Sequence, residues 1–263
     1  MMVRRYARLL GVQLRLSASA GMAYRGDFLL EGMMSIGWLA ITLMPLYVLY
    51  SERPSVGGWT MPEALVVLAY FTGIKGVLEG VVSPSFVDLV ERIRSGAFDY
   101  VLLKPVDAQA LISASRFEPW KMFDVLGSIA IVIYAFTKLG APSLPDIALG
   151  MLLFVAGVLA MYSLWILCAA AAFWVVRLDN LTFLLGAIFD TARWPVTIFP
   201  RVWRIIFTFV IPLAVMTTYP AQALLGQLQG RTALAVCGGS FGLLVISRLV
   251  WRKAIRSYTS ASS

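Results

Sequence analysis

Long uninterrupted apolar blocks are the feature that most constrains this chain. Of its 263 residues, 60% are hydrophobic and only 14% are charged, whereas soluble domains average about 25% charged residues. Blocks of about 20 apolar residues match the roughly 30 Å hydrocarbon core of a bilayer, because a helix rises about 1.5 Å per residue. Only helices and closed barrels satisfy their backbone polar groups in lipid, and the sequence lacks the alternating segments of a barrel. It therefore predicts an all-α polytopic membrane protein.

Six apolar blocks predict six transmembrane helices within a single domain over residues 1–263. Five blocks are continuous, namely Phe28–Tyr50, Pro62–Val82, Met122–Leu139, Ile147–Val176 and Thr232–Val250. The fifth span in chain order, Leu181–Phe189, is followed by charges and prolines, and the next apolar stretch is broken at Pro212. We expect residues 197–228 to form re-entrant or surface-lying short helices, since irregular backbone at membrane depth needs cover from protein or a water-filled cavity.

The basic residues predict the orientation of these spans. Within residues 1–25, Arg4, Arg8 and Arg15 share one helix face opposite several leucines. This pattern favours an amphipathic helix in the cytoplasmic headgroup layer, with an ordinary solvated leader as the alternative. A cytoplasmic N-terminus and six spans place most of the 22 Lys and Arg residues inside, as the positive-inside rule requires. We therefore expect both termini in the cytoplasm and interpret the net charge of +8 as a topology signal, not as a sign of a nucleic-acid partner.

Residues that could carry catalysis are scarce. The chain has no histidine, which excludes His-based dyads, HExxH zinc sites and haem ligation by His. Residues 238–242 match the G-x-S-x-G elbow, but that motif requires a preceding strand and a base. We interpret Gly238 and Gly242 instead as a small-residue face for close helix packing, like Gly76 and Gly80. No GxxxxGK[ST] phosphate loop occurs, so we predict no catalytic, cofactor or metal site on this chain.

Two pairs of ionisable residues interrupt the apolar blocks. Lys75 and Glu79 lie four residues apart on one face of the second span, and Asp190 and Arg193 form a similar pair near the outer end of the fifth. Ionisable groups inside a membrane are costly and often functional, so a proton relay or a substrate contact is one interpretation. A mutually neutralising pair that faces the helix bundle is the other. Asp124, near the start of the third span, is expected to face the headgroups.

The predicted cytoplasmic loop at residues 83–121 carries the most informative pattern. Its first part has the spacing of a short amphipathic helix ended by a glycine, given by Val87, Val90, Ile93, Arg94 and Gly96. A short apolar run follows from Tyr100 to Leu103. Two apolar patches flanked by charges favour a helix that docks on a cytoplasmic partner, and a membrane-surface helix without a partner is the alternative.

Several motifs in this order and spacing make the chain similar to a known family. They are Ile93-Arg94-x-Gly96-x-x-Asp99-x-x-Leu102-Leu103-x-Pro105-x-Asp107, Arg116-Phe117-x-Pro119-Trp120, Phe173-Trp174-x-x-Arg177-x-Asp179-Asn180 and Arg193-Trp194-Pro195-Val196-x-Ile198-Phe199-Pro200. Together they resemble the ABC-2-type permeases, in a subgroup formerly labelled only as a domain of unknown function. The similarity runs from Arg5 to about Arg252.

This resemblance implies a half-transporter of the bacterial cytoplasmic membrane, with an N-terminal elbow helix at residues 1–25, six spans and re-entrant half-helices at 197–228. It implies a coupling helix in the loop that docks on a separate ATP-binding cassette subunit. ATP and Mg would be bound by that subunit, so this chain would not itself be an enzyme. The residues that it assigns to coupling are Glu91, Arg92, Arg94, Gly96 and Asp99. A second permease chain, identical or paralogous, is implied as well.

The function expected from these features is ATP-driven export of a lipid-like or amphipathic small molecule. One rival is a proton-coupled secondary transporter that uses Lys75 and Glu79, although the sequence shows no inverted repeat of the kind common in such carriers. A second rival is a non-transporting membrane scaffold, which would tolerate substitution in the coupling loop. The sequence assigns no residue to substrate contact.

Overall fold

The computed structural model describes residues 11–12, 19, 25–113, 115–174 and 186–258. Helices dominate this part of the chain, and a short antiparallel hairpin pairs β1 (Ser55–Val56) with β2 (Trp59–Thr60). In chain order the α-helices are α1 (Arg25–Glu52), α2 (Met61–Val77), α3 (Ser83–Arg94), α4 (Asp99–Leu102), α5 (Ala108–Ile112), α6 (Met122–Leu139), α7 (Leu144–Ala171), α8 (Arg201–Ile205), α9 (Tyr219–Leu224) and α10 (Gly230–Arg256). The π-helical turns are Leu78–Val82, Ile206–Val210 and Ala214–Thr218, and the 3₁₀ turns are Pro119–Lys121, Thr191–Arg193 and Val196–Ile198.

In the described part of the chain, five helices are long and apolar enough to span a bilayer: α1, the continuous helix from α2 through α3, α6 with its preceding turn, α7 and α10. They match the five continuous blocks of the sequence. The predicted fifth span, Leu181–Phe189, lies mostly outside the described residues, of which 186–190 are helical. The predicted elbow helix at residues 1–25 also lies almost entirely outside them.

A bent pair of helical segments occupies the region where re-entrant helices are predicted. Arg201–Val210 and Ala214–Leu224 meet at 79° and would count as a sixth span only if taken together. The second segment packs along α7: a Cβ atom on Gly157 would lie 3.1 Å from the carbonyl oxygen of Val215, and one on Gly150 would lie 3.2 Å from Cβ of Leu224. The bend is therefore about 20 Å along α7 from its start, at about 1.5 Å per residue. That depth agrees with a re-entrant path, which stays a prediction.

Helix α2 forms the centre of the bundle. In the most apolar stretch of the helix that contains α2, 72% of the residues are buried, against 17% in each of α1 and α6. Glycines of this continuous helix let α6 and the turn before it approach closely, as the small-residue interpretation of Gly76 and Gly80 predicts. A Cβ atom on Gly76 would lie 3.0 Å from Cβ of Asp124, and one on Gly80 would lie 3.3 Å from Cβ of Lys121. On α10, by contrast, Gly238 and Gly242 meet no packing neighbour among the described residues.

The second predicted span does not stop at Val82 as the sequence analysis expects. It continues through a π-helical turn into α3, and the whole helix from Met61 to Arg94 has 34 residues, or about 51 Å. Pro84 has no N–H for the carbonyl of Gly80 four residues earlier, and that carbonyl accepts a 2.8 Å bond from the backbone N–H of Glu118. The continuous helix is thus compatible with Pro84, and the first part of the predicted loop is helical.

The two ends of the bundle differ. The hairpin end consists of β1, β2 and the turn at residues 140–143, and the loop end consists of α3, α4 and α5. At the hairpin end the indole Nε1 of Trp59 donates a 2.8 Å bond to Oγ1 of Thr197. Gly57, at φ 58°, comes so close to Ile198 that a Cβ atom there would lie 2.9 Å from its Cγ1. These contacts hold residues 195–198 against the hairpin.

Candidate functional site

Helix α3 is amphipathic, but its buried face is shifted from the predicted one. Phe86 and Leu89 are 5% and 1% exposed, and the ring of Phe86 packs edge-on against Trp165 of α7 at 5.1 Å between centroids. Val90 and Ile93 pack on the same core, whereas Val87, expected on this face, is 54% exposed. The phase is fixed by the direct continuation from α2 together with the packing of Phe86 on Trp165.

The opposite face of α3 carries the residues expected to contact a partner. Val87, Glu91 and Arg94 are all exposed and share one face, since they follow the i, i+4, i+7 spacing of a helix. Arg92 instead donates from Nε to Oδ2 of Asp88 at 2.7 Å. Of the three predicted coupling residues on α3, Glu91 and Arg94 thus lie on the exposed face, and Arg92 pairs with Asp88 of the same helix.

The chain beyond α3 is anchored by an aromatic cluster. Gly96 ends the helix at φ 74°, a backbone conformation that glycine adopts without strain. Phe98 follows with no exposed surface, and its ring meets Phe173 and Tyr258 edge-on at 5.2 and 5.3 Å. The cluster therefore fixes the start of α4 to the loop-end termini of α7 and α10.

Asp99 begins α4 next to this cluster. Burial raises the pKa of Tyr258, and the neighbouring carboxylate of Asp99 raises it further. Outside the cluster, apolar side chains of the same loop face solvent. They are Tyr100, Leu102 and Leu103, at 71%, 40% and 79% exposed. Three of the four side chains of the predicted apolar run therefore lie on the surface, where they can take a partner, whereas Val101 is 3% exposed and belongs to the core.

A second anchor joins the loop to α10. Both terminal nitrogens of Arg248 donate to the carboxylate of Asp107, and Nη1 also donates to Oε1 of Gln109 at 2.7 Å. Asp107 in turn caps α5 by accepting from the backbone N–H of Ala110 at 3.1 Å. The hydrogen bonds from Arg248 lower the pKa of Asp107. This paired arrangement is geometrically specific.

The two intramembrane pairs predicted from the sequence meet in one ion chain. Nζ of Lys75 lies 2.6 Å from Oδ1 of Asp190 and 3.6 Å from Oε1 of Glu79. Arg193 extends the chain at 3.9 Å from the other oxygen of Asp190. Asp190 therefore lies level with Lys75, which is about 21 Å along the helix from Met61.

The chain continues through two residues that the sequence analysis did not assign to it. Nζ of Lys121 lies 2.6 Å from Oε2 of Glu79 and 3.5 Å from Oδ2 of Asp124. The carboxylate of Asp124 also accepts a hydrogen bond from Ser35 of α1, so Asp124 does not face the headgroups as expected. The signal that could have found both residues is the pair Gly76 and Gly80, which lets Lys121 and Asp124 approach the helix beside Glu79.

The ion chain lines a cavity of about 330 Å³, together with Trp38 and Phe71. Nζ of Lys75 lies 5.5 Å from the ring centre of Phe71.

A larger cavity of about 1010 Å³ opens at the loop end and includes Glu31 and Glu118 in its wall. Burial raises the pKa of Glu118, and the carboxylates of Glu79 and Glu31 add to the shift. Glu79 and Lys121 line both cavities, so their ion pair forms the wall between them.

Comparison with known proteins adds one finding to this geometry. A family model described as ABC-2 family transporter protein matches residues 36–262. No curated protein and no solved structure matches the chain. The matched range covers α3, both anchors and all six members of the ion chain.

Proposed function

Because this chain belongs to the ABC-2 family of transporter proteins, we propose that it is the permease subunit of an ATP-binding cassette exporter. It is a multi-pass membrane protein, and its cargo in this proposal is a lipid-like or amphipathic small molecule. Energy comes from a separate subunit that binds ATP and Mg. The chain's own task is to hold a path through the membrane and to switch its accessibility.

The observation that carries this proposal is the outward face of α3. The helix from Met61 to Arg94 is about 51 Å long at about 1.5 Å per residue, well beyond the roughly 30 Å core of a bilayer. Its projecting end presents Val87, Glu91 and Arg94 on one face, and exposed apolar side chains follow in the same loop. An apolar residue between two opposite charges is better suited to contact with a protein partner than to contact with bulk water.

Coupling in this proposal follows from helix continuity. A partner that moves α3 also moves Glu79, because Glu79 lies in the π-helical turn Leu78–Val82, which continues directly into α3. Such turns are frequent at functional sites. ATP would act through its different affinity for two states of the complex. The ion pair of Glu79 and Lys121 lies between the two cavities, so a shift of the helix can break it or form it again.

The same proposal assigns sides and partners. The loop end faces the cytoplasm of a bacterial inner membrane, both termini lie there, and the bent pair at 201–224 belongs to a re-entrant region on the outer side. The proposal also keeps the expected elbow helix at residues 1–25, which lies almost entirely outside the described residues. A second permease chain, identical or paralogous, completes the path, which agrees with the 17% burial of the apolar stretches of α1 and α6.

A proton-coupled carrier is the second candidate, and the ion chain is the observation that favours it. Chains of ionisable side chains inside membranes also serve as proton relays. Transport assays with the ATP-binding subunit present separate the two functions. An exporter loses transport when ATP is replaced by a non-hydrolysable analogue, whereas a proton-coupled carrier loses it when the proton gradient is collapsed.

Co-purification tests the proposal. The full-length chain is co-expressed with its candidate ATP-binding subunit and purified in nanodiscs, and recovered ATPase is measured for wild type and for the double variant Glu91→Lys with Arg94→Glu. Like charges placed across an interface cost several kcal/mol, so we expect at least about a tenfold loss, or about 1.4 kcal/mol.

The matched control reverses an exposed neighbouring pair at the hairpin end, Glu52→Lys with Arg53→Glu. This control should retain ATPase at the wild-type level. The proposal is wrong if the wild-type chain recovers no ATP-binding subunit, or if the variant at Glu91 and Arg94 recovers as much as the control does.

A further inference from the structure

The ion chain is electrically balanced. Its three cations and three anions alternate along the cavity wall in the order Arg193, Asp190, Lys75, Glu79, Lys121 and Asp124. An uncompensated charge in a low-dielectric site is strongly unfavourable. A ligand with net charge would leave one such charge in this cavity, whereas a ligand with one positive and one negative group would not.

The charges are accessible from the cavity. The side chains of Lys75, Glu79 and Asp190 are 36%, 36% and 40% exposed, and that of Arg193 is 31% exposed. The side-chain ion pair of Arg193 and Asp190 is the longest in the chain, at 3.9 Å between Nη2 and Oδ2, and Nε of Arg193 is held by the backbone carbonyl of Asp190 at 2.7 Å. A ligand can enter there at least cost, with its anionic group on Arg193 and its cationic group on Asp190.

The shape of the cavity limits the ligand further. A volume of about 330 Å³ is at the low end of small-molecule sites, about 300–1,000 Å³, so it takes a head group and not a whole amphiphile. The α1 wall of the cavity includes Trp38 and Ile41, which are 64% and 56% exposed. An apolar tail attached to the bound head would lie along these two side chains.

We propose that the cavity lined by the ion chain binds the zwitterionic head of an amphiphile, whose apolar part lies along α1. The site rests on the proposed export function and names the substrate class for it. Arg193 and Asp190 are its primary binding residues. The charges around these two residues are neutralised by the rest of the ion chain, namely Lys75, Glu79, Lys121 and Asp124.

Photolabelling in nanodiscs tests this site without any ATPase. Three lipids carry the same diazirine-bearing chains and differ only in head group: phosphocholine (zwitterionic), phosphoglycerol (anionic) and trimethylammonium-propane (cationic). Labelling of the peptide that contains residues 35–42 is quantified by mass spectrometry. In wild type the zwitterionic lipid should label at least roughly threefold more than either other lipid, which corresponds to about 0.7 kcal/mol.

Charge substitutions should change the preferred head group in a defined order. Asp190→Asn leaves the site positive and should favour the anionic lipid, and Arg193→Gln leaves it negative and should favour the cationic one. The double variant restores neutrality without either binding charge and should cancel the preference for a charged lipid that each single variant shows, which separates ligand selection from misfolding. Lys138→Gln, at an exposed position in the last turn of α6, is the control and should label as wild type does.

Three results would overturn the proposal. They are equal labelling by all three head groups in wild type, the same order of head groups in every variant, and competition by soluble phosphocholine, which would assign the site to a free zwitterion. Because ATPase and transport are absent from the assay, these results are independent of the docking experiment. A failed docking experiment would leave the head-group site standing, and a failed labelling experiment would leave the docking site standing.

Discussion

Replacing Phe98 by alanine should release the loop end of the protein while leaving the bundle intact. The side chain has no exposed surface and makes edge-on ring contacts at 5.2 and 5.3 Å with Phe173 and Tyr258. Truncating a buried phenylalanine typically costs about 3–5 kcal/mol, and each such aromatic pair accounts for about 0.5–1.5 kcal/mol. The contacts join the start of α4 to α7 and α10, so the loss should appear as local opening.

Hydrogen exchange measured by mass spectrometry is the assay. A loss of about 3 kcal/mol corresponds to about a hundredfold faster exchange at 1.4 kcal/mol per factor of ten. We expect this acceleration in the peptide that covers residues 96–103 and none in the middle of α6. Tyr100→Ala is the matched control, because this neighbouring aromatic side chain is 71% exposed. It should leave exchange unchanged and weaken docking instead. Less than threefold acceleration in Phe98→Ala, or equal acceleration in both variants, would refute the reasoning.

Two further predictions follow from the packing and the loop anchor. Gly76→Leu should lower the thermal unfolding midpoint by roughly 2–12 °C, because overpacking costs about 1–3 kcal/mol where a Cβ atom would already lie 3.0 Å from Asp124. Gly37→Leu, which meets open space on α1, should cause no comparable loss, and equal midpoints in both variants would contradict the prediction. Asp107→Asn should destabilise the protein at neutral pH, because Arg248 lowers the pKa of Asp107 in the fold. That contribution is present above the unfolded pKa of about 3.9 and is lost as pH falls through the lower folded value. The difference in unfolding midpoint between wild type and Asp107→Asn should therefore shrink below about pH 4, and a constant difference would refute the role of this pair.

Local chemistry made some boundaries predictable. The third predicted span coincides with α6, Met122–Leu139, because a lysine precedes it and Gly140, at φ 87°, ends it. The helix predicted from Ile147 begins earlier, at Leu144, since Oγ of Ser143 caps it by accepting from the backbone N–H of Asp146. The capping role of a serine before a helix can be inferred from sequence, so the start of this helix at Leu144 could have been predicted.

Long-range pairing was not predictable in the same way. The spacing of Lys75 and Glu79 showed one local pair, but Asp190 lies 115 residues further on, and no local pattern links the two. The phase of α3 also depends on a neighbour in space, because Trp165 of α7 decides that Phe86 is buried and Val87 is not. Sequence periodicity identified an amphipathic helix there, and tertiary packing determines which of its faces is buried.

Crosslinking from the outward face of α3 tests the central claim most directly. A photoreactive phenylalanine derivative replaces Val87 in one variant, and Leu144, which is 82% exposed at the hairpin end, in the control. Each variant is irradiated in membranes that contain the candidate ATP-binding subunit. The account predicts an adduct between the chain and that subunit from position 87 and none from position 144. Adducts from both positions, or no adduct from position 87, would contradict it.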